Sequence, residues 1–576
     1  MLSLKLHKEV AQAALKHYQL TPDEVDVALT RDLSHGDYTT NVALKVASKW
    51  GVIPREAAQT ILDELKNSHF IAKQVAKVEL AGPGFINFTL KPEVLLKALE
   101  AVRVAQVEPV WKGQRVVVEY SSPNIAKPMH IGHLRSTIIG AAVANLYEEL
   151  GAKVIRINHL GDWGTQFGKL IAAFKLWGNR AAVHQHPIEE LLKLYVKFHE
   201  VMKEQPDLER RGQEEFKKLE GGDRKNRSLW LWFRTESLRE FSALYQRLGV
   251  TFSHITGESF YERQLPGLVA YFLKRKLAVK NVDGSVVAHL EGEGLPPALI
   301  QKSDGVSLYA TRDLAAIHYR VQHYKPNLIL YVVGNEQALH FEQVFACAEH
   351  AGFVPHTKLE HLKNGLVLGE DGLKLATREG KIIKLDDVLE EAVTRARAIV
   401  DKKNFKLAPK VKAQVAEVVG VGALKYNDLS QNRHTDITFN WDKMLAFDGN
   451  SGPYLQYTYV RLKSILRKAL GGKKSARVPK LKLAVLQSLT PADVNMLRLT
   501  TRYPEAILRA AQENGPHLLA QYLYELATAT NSFYHGSPVL NAREPVRAFR
   551  LHLIAAVAEV LKHGLAILGI GVVERM

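Results

Sequence analysis

The chain has 576 residues and a formal charge of +17 with a pI near 9.5, and 46% of its residues are apolar. That length exceeds what a single hydrophobic core sustains, so about three or four domains are expected, and so large a basic excess points to a polyanionic partner. No apolar run reaches the roughly eighteen residues of a membrane span, the opening helical pattern mixes acidic and basic groups unlike a secretory or transit leader, and Cys347 as the only cysteine excludes intrachain disulfides and zinc sites built on paired thiolates.

Residues 1 to about 110 read as a small α+β domain. Amphipathic helices are expected over 4–18 and 54–68, flanking the loop HGDYTTN, and residues 75–90 alternate as strands around a Gly82-Pro83-Gly84 turn. From about 111 to 450 short apolar strands (116–120, 152–158, 327–334) alternate with helical periodicity. That is the pattern of a doubly wound, Rossmann-like parallel sheet, whose ligands bind at the strand C-terminal ends. A charged helical stretch over about 170–300, including ERRGQEEFKKLEGGDRKNR, reads as an insertion with a solvated face. Residues 451–576 read as an α-helical bundle, with a start at Thr490-Pro491 and a stop at Asn514-Gly515-Pro516. Positions 454–576 hold 17 Lys/Arg against 7 Asp/Glu, which places much of the positive excess at this end. Cys347, within FEQVFACAEHAG, reads as a small core residue of a helix.

The most informative segment is VVVEYSSPNIAKPMHIGHLRS, residues 116–136. Its β-branched opening makes a buried strand, Pro123 and Pro128 mark a turn, and helical spacing begins at His130. Two imidazoles around Gly132 therefore sit on the first turn of a helix just beyond a strand end. Phosphates bind at such places, because unpaired N–H groups and the positive end of the helix dipole face them. Gly132 leaves room for a flat ring, and His130 and His133 can donate to phosphate oxygens as charge builds there. Lys127 stands at the same turn. Histidines at a helix start are also ordinary caps, and a small nucleotidylyltransferase uses the same HxGH.

The longer string SSPNIAKPMHIGHLRS resembles the HIGH signature of class I aminoacyl-tRNA synthetases, in the form found in arginyl-tRNA synthetases with a lysine just before the first histidine. GPGFINF resembles the N-terminal domain of that family. The resemblance implies a HIGH-type catalytic domain at 111–450, a tRNA-contacting domain at 1–110 and an anticodon-binding helical domain at 451–576. It implies ATP with Mg2+ as the energy source, no zinc, L-arginine and tRNA(Arg) as partners, no membrane, a cytoplasmic location and a monomer. It assigns Lys127, His130, His133 and Lys374 to catalysis, and His130, Gly132, His133, Lys374 and Arg378 to ATP. Glu119, Ser122, Pro123, Asn124 and His133 become contacts for arginine, as does Asn87 from the N-terminal domain.

In LKLATREGK, Lys374 to Arg378 stands where the family carries its mobile KMSKS loop, with Thr377 replacing the second lysine. Lys127 fits a substitute for that missing charge. A guanidinium calls for a carboxylate that can accept two parallel N–H bonds. Tyr309 and Asp313 lie one helical turn apart in SLYATRDLAAIHY; the string resembles the family's arginine pocket, and Gln337 in VVGNEQALH matches another of its positions. The join FDGNSGPYLQYTYVRLKSILR interleaves Tyr454, Tyr457 and Tyr459 with Arg461, Lys463 and Arg467, aromatics for stacking beside cations for phosphate. A buried helix with snorkelling lysines is the competing account of that join. NHLGDWGTQFG is also similar to the family, but its Asp162 and Trp163 read as packing residues with no catalytic role assigned, and Ser253 departs from the family's usual aspartate. The reading is ATP-dependent activation of arginine and its transfer to tRNA, with a synthetase-like RNA-binding protein lacking catalysis as a further alternative.

Overall fold

The computed structural model describes residues 1–30, 32–305, 308–369, 371–372, 377–378, 381–403, 407–469, 471 and 481–576. The catalytic region is built on five parallel strands. In spatial order they are Lys358–Asn364, Leu328–Gly334, Arg115–Glu119, Lys153–Leu160 and His254–Gly257. Val116 and Val118 pack into one hydrophobic cluster and Val117 into another on the opposite face. A strand buried on both faces is why this segment reads as an unbroken β-branched run. The helix Ile131–Glu149 follows the central strand, and ligand-facing loops gather at the strand C-terminal ends, as in other doubly wound sheets.

The stretch expected as one helical insertion is divided in two. Helices from Thr165–Trp177 to Arg224–Leu248 form a packed helical block; the chain then returns to the sheet as the edge strand His254–Gly257. A second excursion carries a small antiparallel sheet of Val279–Lys280, Val286–Ala288 and Ala298–Gln301. The strand HITG is too short, with its first two positions exposed, to announce itself as part of a central sheet.

The N-terminal region forms a four-stranded sheet with helices that include Leu2–Tyr18 and Pro54–Lys66. It docks on the C-terminal bundle through polar contacts. Arg498 meets Asp37 at 3.3 Å, Arg502 donates to the Thr30 carbonyl at 2.9 Å, and the Tyr38 hydroxyl donates to Glu505 at 3.3 Å. The bundle consists of long helices from Gly452–Ala469 to Val546–Ile567, and Thr490 caps one of them in a reciprocal box with Asp493. Cys347 is buried in the second cluster, where burial pushes its thiol up to about 11 and leaves it inert. Among the described residues no helix is long and apolar enough to cross a membrane.

Candidate active site

At the C-terminal end of the central strand the backbone enters an unusual turn. Ser121, Ser122 and Ala126 adopt φ of 74°, 47° and 60°, a region that L side chains occupy only when the surroundings enforce it. The enforcement is visible. The Ser122 N–H donates to Asn158 Oδ1 at 3.2 Å, Ser121 Oγ shares a hydrogen bond with the Tyr245 hydroxyl at 2.7 Å, and Thr137 donates to Ser121 Oγ at 2.9 Å. Asn158 and Tyr245 come from the neighbouring strand and from the helical block. Asn124 lies against Gly161, where an added Cβ would run into Asn124 Oδ1. Among the described residues the buried Ser122 hydroxyl has no protein hydrogen-bond partner.

The two histidines cap the helix that follows. His130 Nδ1 accepts the Gly132 N–H at 3.1 Å, and His133 Nδ1 accepts the His130 N–H at 3.2 Å. A ring nitrogen that accepts a backbone N–H carries no proton, so in each ring the remaining donor position is Nε2. The capping reading and the chemical reading thus coincide: the cap fixes the tautomer that a phosphate requires. Burial, then the neighbouring His130, push the His133 imidazole down to about 3, so it works as a neutral donor. The rings lie 3.9 Å apart, and a Cβ on Gly132 would strike the His130 ring at 2.9 Å. Glycine is needed here first to admit that imidazole, a reason closer to hand than space for an incoming base.

These residues line a cavity of about 270 Å³ with Ser122, Asn124, Gln337, Asn364 and Gly365. Arg135, buried on the same helix as the histidines, holds the far wall. It donates to Asp428 at 3.3 Å and to the carbonyls of Leu366 and Arg433 at 3.1 and 3.3 Å. Burial pushes the Asp428 carboxyl up to about 6 against the pull of Arg135. Asp162 is structural. Its fully buried carboxylate accepts from Ser259 N and Oγ at 3.0 and 2.9 Å and from Arg234 at 3.1 Å, tying the helical block to the short helix Glu258–Tyr261 after the edge strand.

Acidic residues gather beside the cavity, each facing a basic side chain of the chain. Glu119 faces the fully buried Arg320 at 2.5 Å, and Arg320 also donates to the Tyr331 hydroxyl at 3.2 Å. The Glu119 expected to contact substrate directly is therefore already neutralised. Glu258 pairs with Arg312 at 3.4 Å; burial, offset in part by Arg312, pushes its carboxyl up to about 8. Asp313 and Tyr309 share the helix Tyr309–Tyr324, with Tyr309 exposed at its first turn. Asp313 Oδ2 accepts from His340 Nε2 at 2.6 Å, so one of the two oxygens expected for a guanidinium fork is engaged. Neither Asp313 nor Tyr309 lines the 270 Å³ cavity; the link runs through Gln337, which does, and His340 in the helix that follows it.

Other expected residues are placed less directly. Lys127 extends its ammonium over the Tyr195 ring, 5.4 Å from the centroid, on the helix Pro187–Glu204 of the helical block, and is not among the cavity lining. Asn87 is buried in the middle of the N-terminal sheet, paired between Thr39 and Glu79, away from that lining. Lys374 lies outside the described residues, and Arg378 is described only as backbone of a short strand with Thr377. In the bundle Tyr457 is exposed and Tyr454 accepts from Asn531 at 2.9 Å. Tyr459 corrects the expectation: its ring is buried and its hydroxyl donates to Glu574 at 2.8 Å, so it packs the C-terminal tail and offers no face to RNA. Arg461 stacks under Tyr534 at 5.0 Å, Arg467 donates to the Glu574 carbonyl at 3.4 Å, and Lys463 is half-buried.

Arg320, His340, Arg135, Asn158, Tyr195 and Tyr245 escaped the sequence reading. Arg135, Asn158 and His340 lie inside strings that carry the resemblance, but local sequence gives no hint of their contacts, because each meets a partner distant in the chain.

Comparison with known proteins gives three successive matches along the chain. Residues 4–90 match the arginyl tRNA synthetase N terminal domain, 97–441 the class I (R) tRNA synthetase catalytic domain, and 455–576 the DALR anticodon binding domain. An arginine–tRNA ligase of Fusobacterium nucleatum is 39% identical over 564 residues, covering 97% of this chain and 96% of that one. The arginyl-tRNA synthetase of Plasmodium falciparum superposes with a TM-score of 0.83 at 26% identity, over 100% of this chain and 99% of that one. The arginyl-tRNA synthetase of Thermus thermophilus gives 0.83 at 25% identity, over all of both chains.

Proposed function

Because this chain belongs to the arginyl-tRNA synthetases and is an arginine–tRNA ligase, we propose a division of labour among its residues. ATP lies over Gly132 as its magnesium complex, the metal belonging to the substrate. The Nε2 donors of His130 and His133 meet the phosphates, with Lys127, Lys374 and Arg378 supplying positive charge at the β and γ positions. Arginine places its guanidinium against Asp313 and Tyr309, backed by Glu119, with its ammonium and carboxylate among Ser122, Pro123, Asn124, His133 and Gln337; Asn87, buried in its own sheet, is left out of this set.

An oxygen of the arginine carboxylate attacks the α-phosphorus, the bond to the β-phosphate oxygen breaks, and pyrophosphate leaves. The terminal adenosine 2′-hydroxyl of tRNA(Arg) then attacks the activated carbonyl and AMP leaves. Positioning and electrostatics carry both steps, and no covalent enzyme intermediate is needed. Neutral histidines suit this work, because they donate to developing phosphate charge without taking a proton from it.

The tRNA docks along the bundle through Tyr454, Tyr457, Arg461, Lys463 and Arg467 together with the N-terminal domain. The protein works as a cytoplasmic monomer. The observation that carries the residue assignment is the tautomer-fixing cap: two Nε2 donors at a helix start, in one cavity with the unpartnered Ser122 hydroxyl and Gln337. The test is one mixture of labelled arginine, ATP and bulk tRNA. Acid-precipitable label that requires ATP, and that is lost in His130→Ala and His133→Ala with arginine binding kept, supports the assignment; full activity in both variants sinks it.

A further inference from the structure

The three acidic side chains around the proposed arginine pocket face basic groups of two different kinds. Glu119 and Glu258 face Arg320 and Arg312, guanidinium groups that stay charged at any physiological pH. Asp313 faces an imidazole instead. The pairs also differ in access. The Arg320 and Glu119 side chains are 0% and 6% exposed, whereas those of His340 and Asp313 are 26% and 20% exposed, so this pair is the one a substrate can reach.

A carboxylate only accepts, so the proton of the 2.6 Å bond sits on His340 Nε2, and a neutral ring suffices to make it. His340 stands on the first turn of the helix Ala338–His350, just after Gln337, which lines the nucleotide-side cavity. The grip on Asp313 and a wall of that cavity thus come from one loop–helix junction.

We propose that His340 is a positioning residue for arginine, engaging Oδ2 of Asp313 and turning Oδ1 toward the substrate guanidinium. This rests on the reading of Asp313 as the guanidinium's partner. An Asp held at one oxygen cannot rotate freely about its side-chain torsions, so the ordering cost is met before arginine arrives.

The experiment uses the full-length enzyme with tRNA present and reads arginine-dependent ATP–pyrophosphate exchange. In His340→Leu the KM for arginine rises roughly ten- to hundredfold, the range expected on losing a hydrogen bond to a charged group, while the KM for ATP changes less than about twofold. His340→Gln, whose amide reaches as far as Nε2, recovers most of the loss. The double variant His340→Leu/Asp313→Asn is no worse than Asp313→Asn alone, because His340 acts only through that carboxylate. An unchanged arginine KM in His340→Leu beside a damaged Asp313→Asn overturns the role of His340 and spares the pocket. Equal losses for arginine and ATP in His340→Leu, with no rescue by glutamine, reduce His340 to a packing residue. An Asp313→Asn enzyme with normal arginine kinetics removes the pocket assignment and this proposal with it.

Discussion

Arg320 and Glu119 face each other across 2.5 Å in the interior of the catalytic domain, one from the helix Tyr309–Tyr324 and the other from the end of the central strand. Arg320 lies two turns along from Asp313, so the pair pins the helix that presents Asp313 to the strand that leads into the HIGH turn. Removing one partner strands a buried charge. Arg320→Met is therefore expected to cost about 3–5 kcal/mol of stability, with a smaller cost in the double variant Glu119→Leu/Arg320→Met. Denaturant midpoints of the two singles and the double decide it: a double variant as unstable as the sum of the singles contradicts the pairing.

Asp313→Asn keeps the shape of the pocket but removes its charge. The expected loss is about 2–5 kcal/mol in kcat/KM for arginine, with the KM for ATP little changed. Steady-state kinetics with each substrate varied in turn separates the two, and a loss confined to ATP would place the pocket elsewhere.

His133 gives a pH dependence whose sign follows from its depressed pKa. The folded ring stays neutral down to about 3, while the unfolded ring takes up a proton below its ordinary 6.5. Its contribution to stability is full above 6.5 and declines as pH falls toward 3. Between about pH 7 and pH 5 the loss is at most about 2 kcal/mol. His133→Asn, with a donor and no titration, should flatten that stretch of the curve; urea midpoints at the two ends of this range that shift equally in both proteins rule this out.

The bundle residues divide by exposure. Tyr457→Ala should weaken tRNA binding by about 1–3 kcal/mol if its ring stacks on a base. Tyr459→Phe should leave tRNA binding unchanged and cost about 1 kcal/mol of stability through the lost bond to Glu574. Filter binding across a salt series adds a second readout: Lys463→Ala or Arg467→Ala should each reduce the salt slope by about one, and a slope near zero in the parent would deny phosphate contacts to this surface.

Much of the fold was legible because it is written in local patterns. The β-branched run at 116–118 names a strand buried on both faces, and the Thr490-Pro491 start corresponds to an N-cap with its reciprocal box. The edge strand His254–Gly257 was not legible: four residues, the first two exposed, inside a long helical excursion carry no periodicity of their own. Tyr459 failed for a related reason. Alternating tyrosines and cations look the same whether a helix turns them to solvent or into its neighbours, and burial is decided by where the C-terminal tail lies.

By itself the sequence determined the succession of domains and the helix start with its two imidazoles, since each depends on residues adjacent in the chain. Only the tertiary structure decided which nitrogen of each imidazole donates, and that Glu119 is already neutralised by Arg320. It alone also placed His340 on Asp313 and kept Tyr459 out of solvent. Tautomer, charge state and access are set by hydrogen-bond partners and low-dielectric surroundings, and those are supplied by segments far apart in sequence that only packing brings together.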